Sequence, residues 1–230
     1  MDRDLLTQLN AERAARRAAI LVTELASGEG RLVREGEALD GELGAAINKG
    51  FLSGRSAALQ ADGRSVFLNV HVPPARLVVI GAVHISQALA PMARIAGFDL
   101  RVIDPRTAFA TPERFSDVDL VAEWPEDVLE KQPLDAYTAL AAVTHDPKID
   151  DYPLKAALDA GCFYVGALGS RKTHAKRVDR LLAMGLTQQQ IDRIASPIGL
   201  DIGAASPQEI AVAILAEVID ALRKRPVAGQ

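Results

Sequence analysis

Arg76-Leu-Val-Val-Ile-Gly-Ala-Val-His-Ile-Ser-Gln-Ala-Leu-Ala90 is an apolar strand that passes through a glycine turn into a helix. A dinucleotide-binding turn is written Gly-x-Gly-x-x-Gly/Ala. Its first glycine makes the tight turn, its second lets a pyrophosphate reach the backbone, and its third seats the helix on the strand. Here the three positions are Gly81, Val83 and Ser86. The tight turn is kept, whereas a β-branched side chain stands where the pyrophosphate would approach.

Downstream of this turn, strand and helix patterns alternate, as in a parallel sheet with crossover helices. Strands are expected at residues 77–80, 100–103, 120–122, 138–143 and 163–165, and helices at 85–96, 152–160, 171–184, 188–194 and 207–224. Pro91 falls inside the first of these helices and removes one backbone donor, which predicts a kink. Thr187-Gln-Gln-Gln190 and Ser206-Pro-Gln-Glu209 have the form of capping boxes. Upstream, a helix over 4–17 is followed by strands and turns around 18–26 and 31–36, a helix over 41–50, and a strand pair near 57–60 and 65–70. Val72-Pro73-Pro74 stiffens the chain and supplies few donors, so it reads as a linker. The fold class is therefore α/β: a Rossmann-like parallel sheet with flanking helices over 75–230, plus a small α+β N-terminal lobe over 1–72.

The 230 residues are 49% hydrophobic with a formal charge of -4, a balance that gives no electrostatic reason to expect nucleic acid or an anionic membrane as a partner. The one cysteine, Cys162, excludes a disulfide framework or a cysteine-cluster metal site, and it fits a reducing compartment. The early acids Asp2 and Asp4 break any signal-like apolar run, and no membrane-spanning segment is apparent, so the expected location is the cytoplasm.

Ligands of open α/β sheets bind beyond the carboxyl ends of the strands, and four such places carry chemistry. The first is Gly81-Ala82-Val83-His84, with Asp104 ending the next strand at about the spacing of a ribose-binding acid. Asp104 is either that acid or part of a strand-ending turn, and His84 either a donor to an anion or a capping residue. The second is Thr144-His145-Asp146, an acid-base pair or a polar loop whose aspartate caps a turn. The third is Gly166-Ala-Leu-Gly169-Ser170-Arg171-Lys172. Backbone donors, a hydroxyl and two cations at a helix N-terminus make it the best anion site in the chain. Lys172, Lys176 and Arg180 continue as a basic stripe at helical spacing, the usual form of a solvated face. The fourth is Ser196 to Ala204, too apolar for a surface loop. Its Asp201 would either meet a ligand or hold backbone by hydrogen bonds. No hydrolase elbow, zinc-protease helix or Walker loop is present.

Taken in series, Gly81-Ala-Val-His84, Thr144-His-Asp146, Tyr164-Val-Gly-Ala-Leu-Gly-Ser-Arg-Lys-Thr-His174 and Pro197-Ile-Gly-Leu-Asp-Ile-Gly203 closely resemble the XdhC/CoxI family, accessory proteins of molybdenum hydroxylases. The resemblance implies a Rossmann-like C-terminal domain and a maturation role for xanthine dehydrogenase or carbon monoxide dehydrogenase-like enzymes. The ligand it implies is the molybdopterin cofactor, bound while its terminal sulfur is installed and then passed to the apo-enzyme. The implied partners are that apo-enzyme and a cysteine desulfurase; amphipathic helices such as 207–224 could cover the sheet or a second subunit equally well, which leaves both a monomer and a homodimer open. Two departures stand out. Val83 replaces the second glycine of the family's Gly-Ala-Gly-His turn, and the N-terminal Gly-Gly-Cys segment is missing, the nearest stretch being Asp40-Gly-Glu-Leu-Gly44. The competing readings are an NAD(P)-dependent oxidoreductase, motivated by Gly81 and Asp104, and a scaffold that contacts the hydroxylase without holding a cofactor.

Overall fold

The structure is a computed structural model that describes residues 3–225. The chain divides into two compact units, one formed by Met1–Pro73 with Arg223–Gln230 and the other by Pro74–Leu222.

The first unit contains α1 (Arg3–Ala14), β1 (Ala19–Glu24), β2 (Gly30–Arg34), α2 (Gly41–Ser53), β3 (Ala57–Ala61) and β4 (Arg64–His71). Its four strands form an antiparallel sheet in the order β2-β1-β4-β3. Successive side chains of a strand point to opposite faces, and β1 buries both sets. Ala19 and Leu21 pack with Leu9 of α1 and Leu32 of β2, while a Cβ on Gly50 of α2 would lie 3.0 Å from Ile20 on the other face. Glu12 fastens α1 to the sheet, accepting hydrogen bonds from Arg17 at 2.6 Å and Arg34 at 2.8 Å.

The second unit contains β5 (Arg76–Ile80), α3 (His84–Ile95), β6 (Asp99–Ile103), β7 (Asp119–Val121), α4 (Pro125–Lys131), β8 (Thr138–Ala142), α5 (Pro147–Asp159), β9 (Tyr164–Ala167), α6 (Arg171–Ala183), α7 (Gln188–Ile191), β10 (Ile194–Ala195) and α8 (Pro207–Lys224). Every pairing is parallel, and the strands lie in the order β7-β6-β5-β8-β9-β10. Renumbered from β5, this is the 3-2-1-4-5-6 order of a dinucleotide-binding sheet, with its switch point between β5 and β8. The central strands are apolar throughout because both faces are covered. Leu77, Val79, Ala139 and Ala141 pack with Leu89 of α3 and Val218 of α8. Val78, Ile80, Leu140 and Ala142 pack with Leu129 of α4, Leu154 of α5 and Leu181 of α6.

Three elements differ from the sequence expectation. Helix α4 is additional to the expected set, although it starts with proline, places Glu126 and Asp127 in its first turn and ends at Lys131. Helix α5 begins at Pro147 rather than Tyr152, because Asp146 caps it and proline suits the first helical position. The expected helix over 188–194 stops at Ile191, and Ile194 and Ala195 instead pair with Val165 and Gly166 as the edge strand. Both capping boxes form: Thr187 and Gln190 cap reciprocally, as do Ser206 and Glu209. Pro91 lies inside α3, which runs without interruption from His84 to Ile95.

Candidate functional site

The switch point brings the exits of β5 and β8 together. Gly81 has a φ of +120°, and a Cβ there would come within 2.8 Å of Thr144 Cγ2, so the turn needs glycine for its conformation and for the closeness of its neighbour. The backbone groups of Gly81 and Ala82 are bonded within the protein. Gly81 N–H donates to Ile103 carbonyl at 2.8 Å, Ala82 N–H donates to Asp104 at 2.7 Å, and Arg114 donates to Ala82 carbonyl at 3.1 Å. Ser86, buried at the third fingerprint position, donates its hydroxyl to Gly81 carbonyl. Val83 is the extended residue that precedes α3, with no side-chain cap, and His84 is the exposed first residue of the helix.

Asp104 ends β6 with no exposed surface. Its Oδ1 accepts from the backbone N–H and Nε of Arg106, both at 2.9 Å, and its Oδ2 from Ala82 N–H and Arg106 Nη2, both at 2.7 Å. Burial pushes this carboxyl up, but the bonds from Arg106 and Ala82 outweigh that and hold it below the ordinary range. A carboxylate has about four acceptor sites, and all four are taken here, so none is open to a ribose hydroxyl. In this geometry Asp104 clamps the β5 turn to Arg106.

At the exit of β8, Thr144, His145 and Asp146 are consecutive but separate in role. His145 adopts φ 65° and is exposed. Asp146 caps α5 by accepting from Lys148 N–H at 3.0 Å, while its own N–H donates to the Thr144 hydroxyl at 3.0 Å. The Thr144 hydroxyl in turn donates to Asp150 at 2.7 Å. The aspartate therefore acts as a cap and is not paired with the neighbouring imidazole.

At the exit of β9, Gly166 is held tightly: a Cβ would run into Tyr164 Oη and lie 2.7 Å from Ile198 Cγ1. The chain then turns through Gly169, and Ser170 caps α6 by accepting from Thr173 N–H at 3.2 Å. Arg171 and Lys172 form the exposed first turn of α6. Between α5 and α6 lies a cleft of about 360 Å³ lined by His145, Asp150, Lys172, Thr173, Lys176 and Arg177, among others. Arg177 is 2% exposed; its Nη2 donates to Leu168 carbonyl at 2.8 Å, and its Nε and Nη1 have no partner. Asp150 is 1% exposed, and its Oδ2 likewise has no partner. Desolvation pushes the Asp150 carboxyl up to about 6, against the Thr144 hydrogen bond and the nearby Arg177 charge. A larger recess of about 430 Å³ is lined by Asp99, Leu100 and Asp119 at the amino ends of β6 and β7. That is the edge of the sheet where ligands of this architecture do not bind.

Asp150 and Arg177 do not stand out in the sequence as site residues. For Arg177 the available signal is the spacing of Thr173, Arg177 and Leu181, which puts the arginine on the same stripe as a fully buried leucine. For Asp150 it is the place one turn after the Asp146 cap. The 196–203 segment packs by a route that its own residues do not reveal. Glu217 of α8 accepts from Gly199 N–H at 2.8 Å and from the Tyr164 hydroxyl at 2.6 Å, while Asp201 is exposed. Burial, followed by the Glu217 contact, raises the Tyr164 phenol above its ordinary value, so the hydroxyl stays a donor.

Cys162 is fully buried; burial and the charge of Asp135 push its thiol up to about 12, leaving no thiolate at neutral pH. Among the described residues no group of three or more histidines, cysteines or acids is placed to hold a metal ion, and no helix is long and apolar enough to cross a membrane.

The sequence is 33% identical over 167 residues to YqeB of Escherichia coli, covering 70% of this chain and 30% of that protein. It is 33% identical over 162 residues to a probable xanthine dehydrogenase component of Bacillus subtilis, covering 70% and 47%. With the molybdenum cofactor insertion chaperone PaoD of Escherichia coli it shares 30% identity over 146 residues, covering 64% and 40%. The chain thus spans less than half the length of these relatives. A crystal structure described as a xanthine dehydrogenase from Bacillus halodurans superposes with a TM-score of 0.64 at 26% identity, covering 97% of this chain and 65% of that one. Residues 77–218 match the XdhC Rossmann domain, and the chain belongs to the XdhC family.

Proposed function

We propose that the chain binds the molybdopterin cofactor and serves in the maturation of a molybdenum hydroxylase such as a xanthine dehydrogenase. The observation that carries this reading is the buried Arg177, with two unpartnered N–H donors, in a lysine-flanked cleft at the carboxyl edge of an XdhC-type sheet. A phosphorylated pterin needs donors and cations of this kind, and helix N-termini beside glycine turns extend the same chemistry. The name of the chaperone PaoD supports the ligand class, and that of the Bacillus subtilis relative supports the client class. When bound, the cofactor supplies the molybdenum chemistry of the client enzyme.

This chain's own residues would bind and orient. Ser170 fixes the start of α6, Arg171 and Lys172 present charge at its first turn, and Thr144 and Asp146 shape the opposite wall at α5. The β5 turn, whose Gly81 and Ala82 amides are already donated, lies outside the lining of this cleft and would support it through the contact of Gly81 with Thr144. A dinucleotide fits less well, because Asp104 is committed to Arg106 and Ala82.

The test is purification from cells that make the cofactor, followed by acid oxidation and pterin fluorescence. Near-stoichiometric pterin is expected with wild type and a reduced amount with Arg171→Ala. Wild-type protein that carries no pterin, yet binds reduced nicotinamide dinucleotide at micromolar concentration, would overturn the reading.

A further inference from the structure

The cleft between α5 and α6 contains more than surface charge. Lys172 and Lys176 are four residues apart, so both ammonium groups project from one side of α6. Arg180, the next member of that stripe, is committed to Asp151 through a two-pronged ion pair. The two lysines have no such partner among the described residues. Arg177 lies inward of them, with Nε and Nη1 buried and unpartnered, and Thr173 adds a hydroxyl. Buried guanidinium groups are normally satisfied, since each unmet donor loses its hydration without compensation. Two such donors on one arginine, beside a cleft with two free cations, describe a site built for an acceptor-rich anion.

We propose that the α5–α6 cleft is a phosphoryl-binding site in which Arg177, Lys172 and Lys176 hold a phosphate or pyrophosphate group, in place of the glycine turn after β5. A tetrahedral phosphate offers several acceptor oxygens, matching the planar fork of Arg177 and the mobile ammonium groups of the lysines. Four cations and two acids line the cleft, so its summed charge favours an anion over a cation. The Gly81 and Ala82 N–H groups of the β5 turn are not open to an anion, because they are already donated to Ile103 and Asp104. That the phosphate belongs to a pterin cofactor rests on the function proposed above, whereas the phosphoryl site itself does not.

The probe is inorganic pyrophosphate, titrated calorimetrically into the full chain. Wild type is expected to bind one equivalent. Lys172→Ala combined with Lys176→Ala, both at exposed positions, should weaken binding at least tenfold. Lys49→Ala with Arg55→Ala, an equal loss of charge in the first unit, should leave affinity unchanged. Arg177→Lys, checked for folding by circular dichroism, should also lose at least tenfold, because a point charge cannot reproduce the fork. No binding by wild type, or equal weakening in the two double variants, would overturn the site. The same proteins are then assayed for retained pterin. Pyrophosphate bound through the lysines with no pterin retained would leave the phosphoryl site standing and remove the cofactor reading. Pyrophosphate bound through the lysines, with pterin retained equally by wild type and by Lys172→Ala/Lys176→Ala, would leave the phosphoryl site standing and place the cofactor's phosphate elsewhere.

Discussion

Replacing Asp150 with asparagine should make the protein more stable at neutral pH. In the folded chain this carboxyl is 1% exposed and accepts from the Thr144 hydroxyl, while its second oxygen has no partner. Burial raises it from 3.8 to about 6. A carboxyl whose folded pKa lies above its unfolded value costs stability once pH exceeds the unfolded value, and the cost is complete above the folded one. At about 1.4 kcal/mol per pH unit, the ionised form costs folding up to about 3 kcal/mol at pH 7. Asparagine retains the acceptor for Thr144 and carries no charge, so Asp150→Asn should gain up to that amount at pH 7. The gain should fall below about 1 kcal/mol by pH 4, where the wild-type carboxyl is protonated in the folded state. Urea unfolding followed by the fluorescence of Trp124, the single tryptophan, reads the second unit directly. A loss of more than about 1 kcal/mol at pH 7 would show that the ionised carboxylate is a favourable partner of Arg177. It would refute the argument from desolvation.

Other substitutions test the remaining supports. Asp104→Ala leaves Ala82 N–H buried without an acceptor and Arg106 without its carboxylate, and should cost about 3 kcal/mol in urea unfolding at pH 7. Because the Asp104 pKa is depressed, its contribution should be present above the unfolded carboxyl value and fade as pH falls through the folded one. Gly166→Ala places a methyl against Tyr164 and Ile198 and should cost about 1–3 kcal/mol by the same assay. Val83→Gly should change pyrophosphate affinity less than about threefold, since the Gly81 and Ala82 amides are already bonded; a tenfold gain in calorimetry would contradict that account. Tyr164→Phe removes one donor to Glu217 and should lower stability by about 1 kcal/mol, measured by thermal unfolding.

The parallel sheet is legible in the sequence because its strands are short apolar runs separated by amphipathic helices, and the strand after Pro74 announces the first crossover. The edge is harder to read. Two residues, Ile194 and Ala195, carry too little periodicity to separate a strand from the end of a helix. The start of α5 is obscured because Pro147 and Pro153 suggest breaks, yet Pro147 needs no donor at the first turn. At the site, the glycine turns and the Ser170 cap are visible as local patterns. The use made of Asp104 is not, since its pairing with Arg106 and Ala82 depends on how the β6 exit bends back. Arg177 and Asp150 are hidden for a related reason: they come from different helices, and only the packing of α5 on α6 gives them a shared cleft.

The contact of Gly81 with Thr144 has a mechanical consequence. The β5 turn touches Thr144, the Thr144 hydroxyl holds Asp150, and Asp150 lies in the wall of the α5–α6 cleft. A larger side chain at residue 81, or a ligand that wedged the β5 turn open, would push along this line and disturb a cleft on the opposite face of the sheet. Glycine at position 81 therefore works as a spacer of fixed thickness between the β5 turn and the exit of β8: it fixes where Thr144 stands, and through Thr144 a residue outside the cleft can tune the position of Asp150 in its α5 wall.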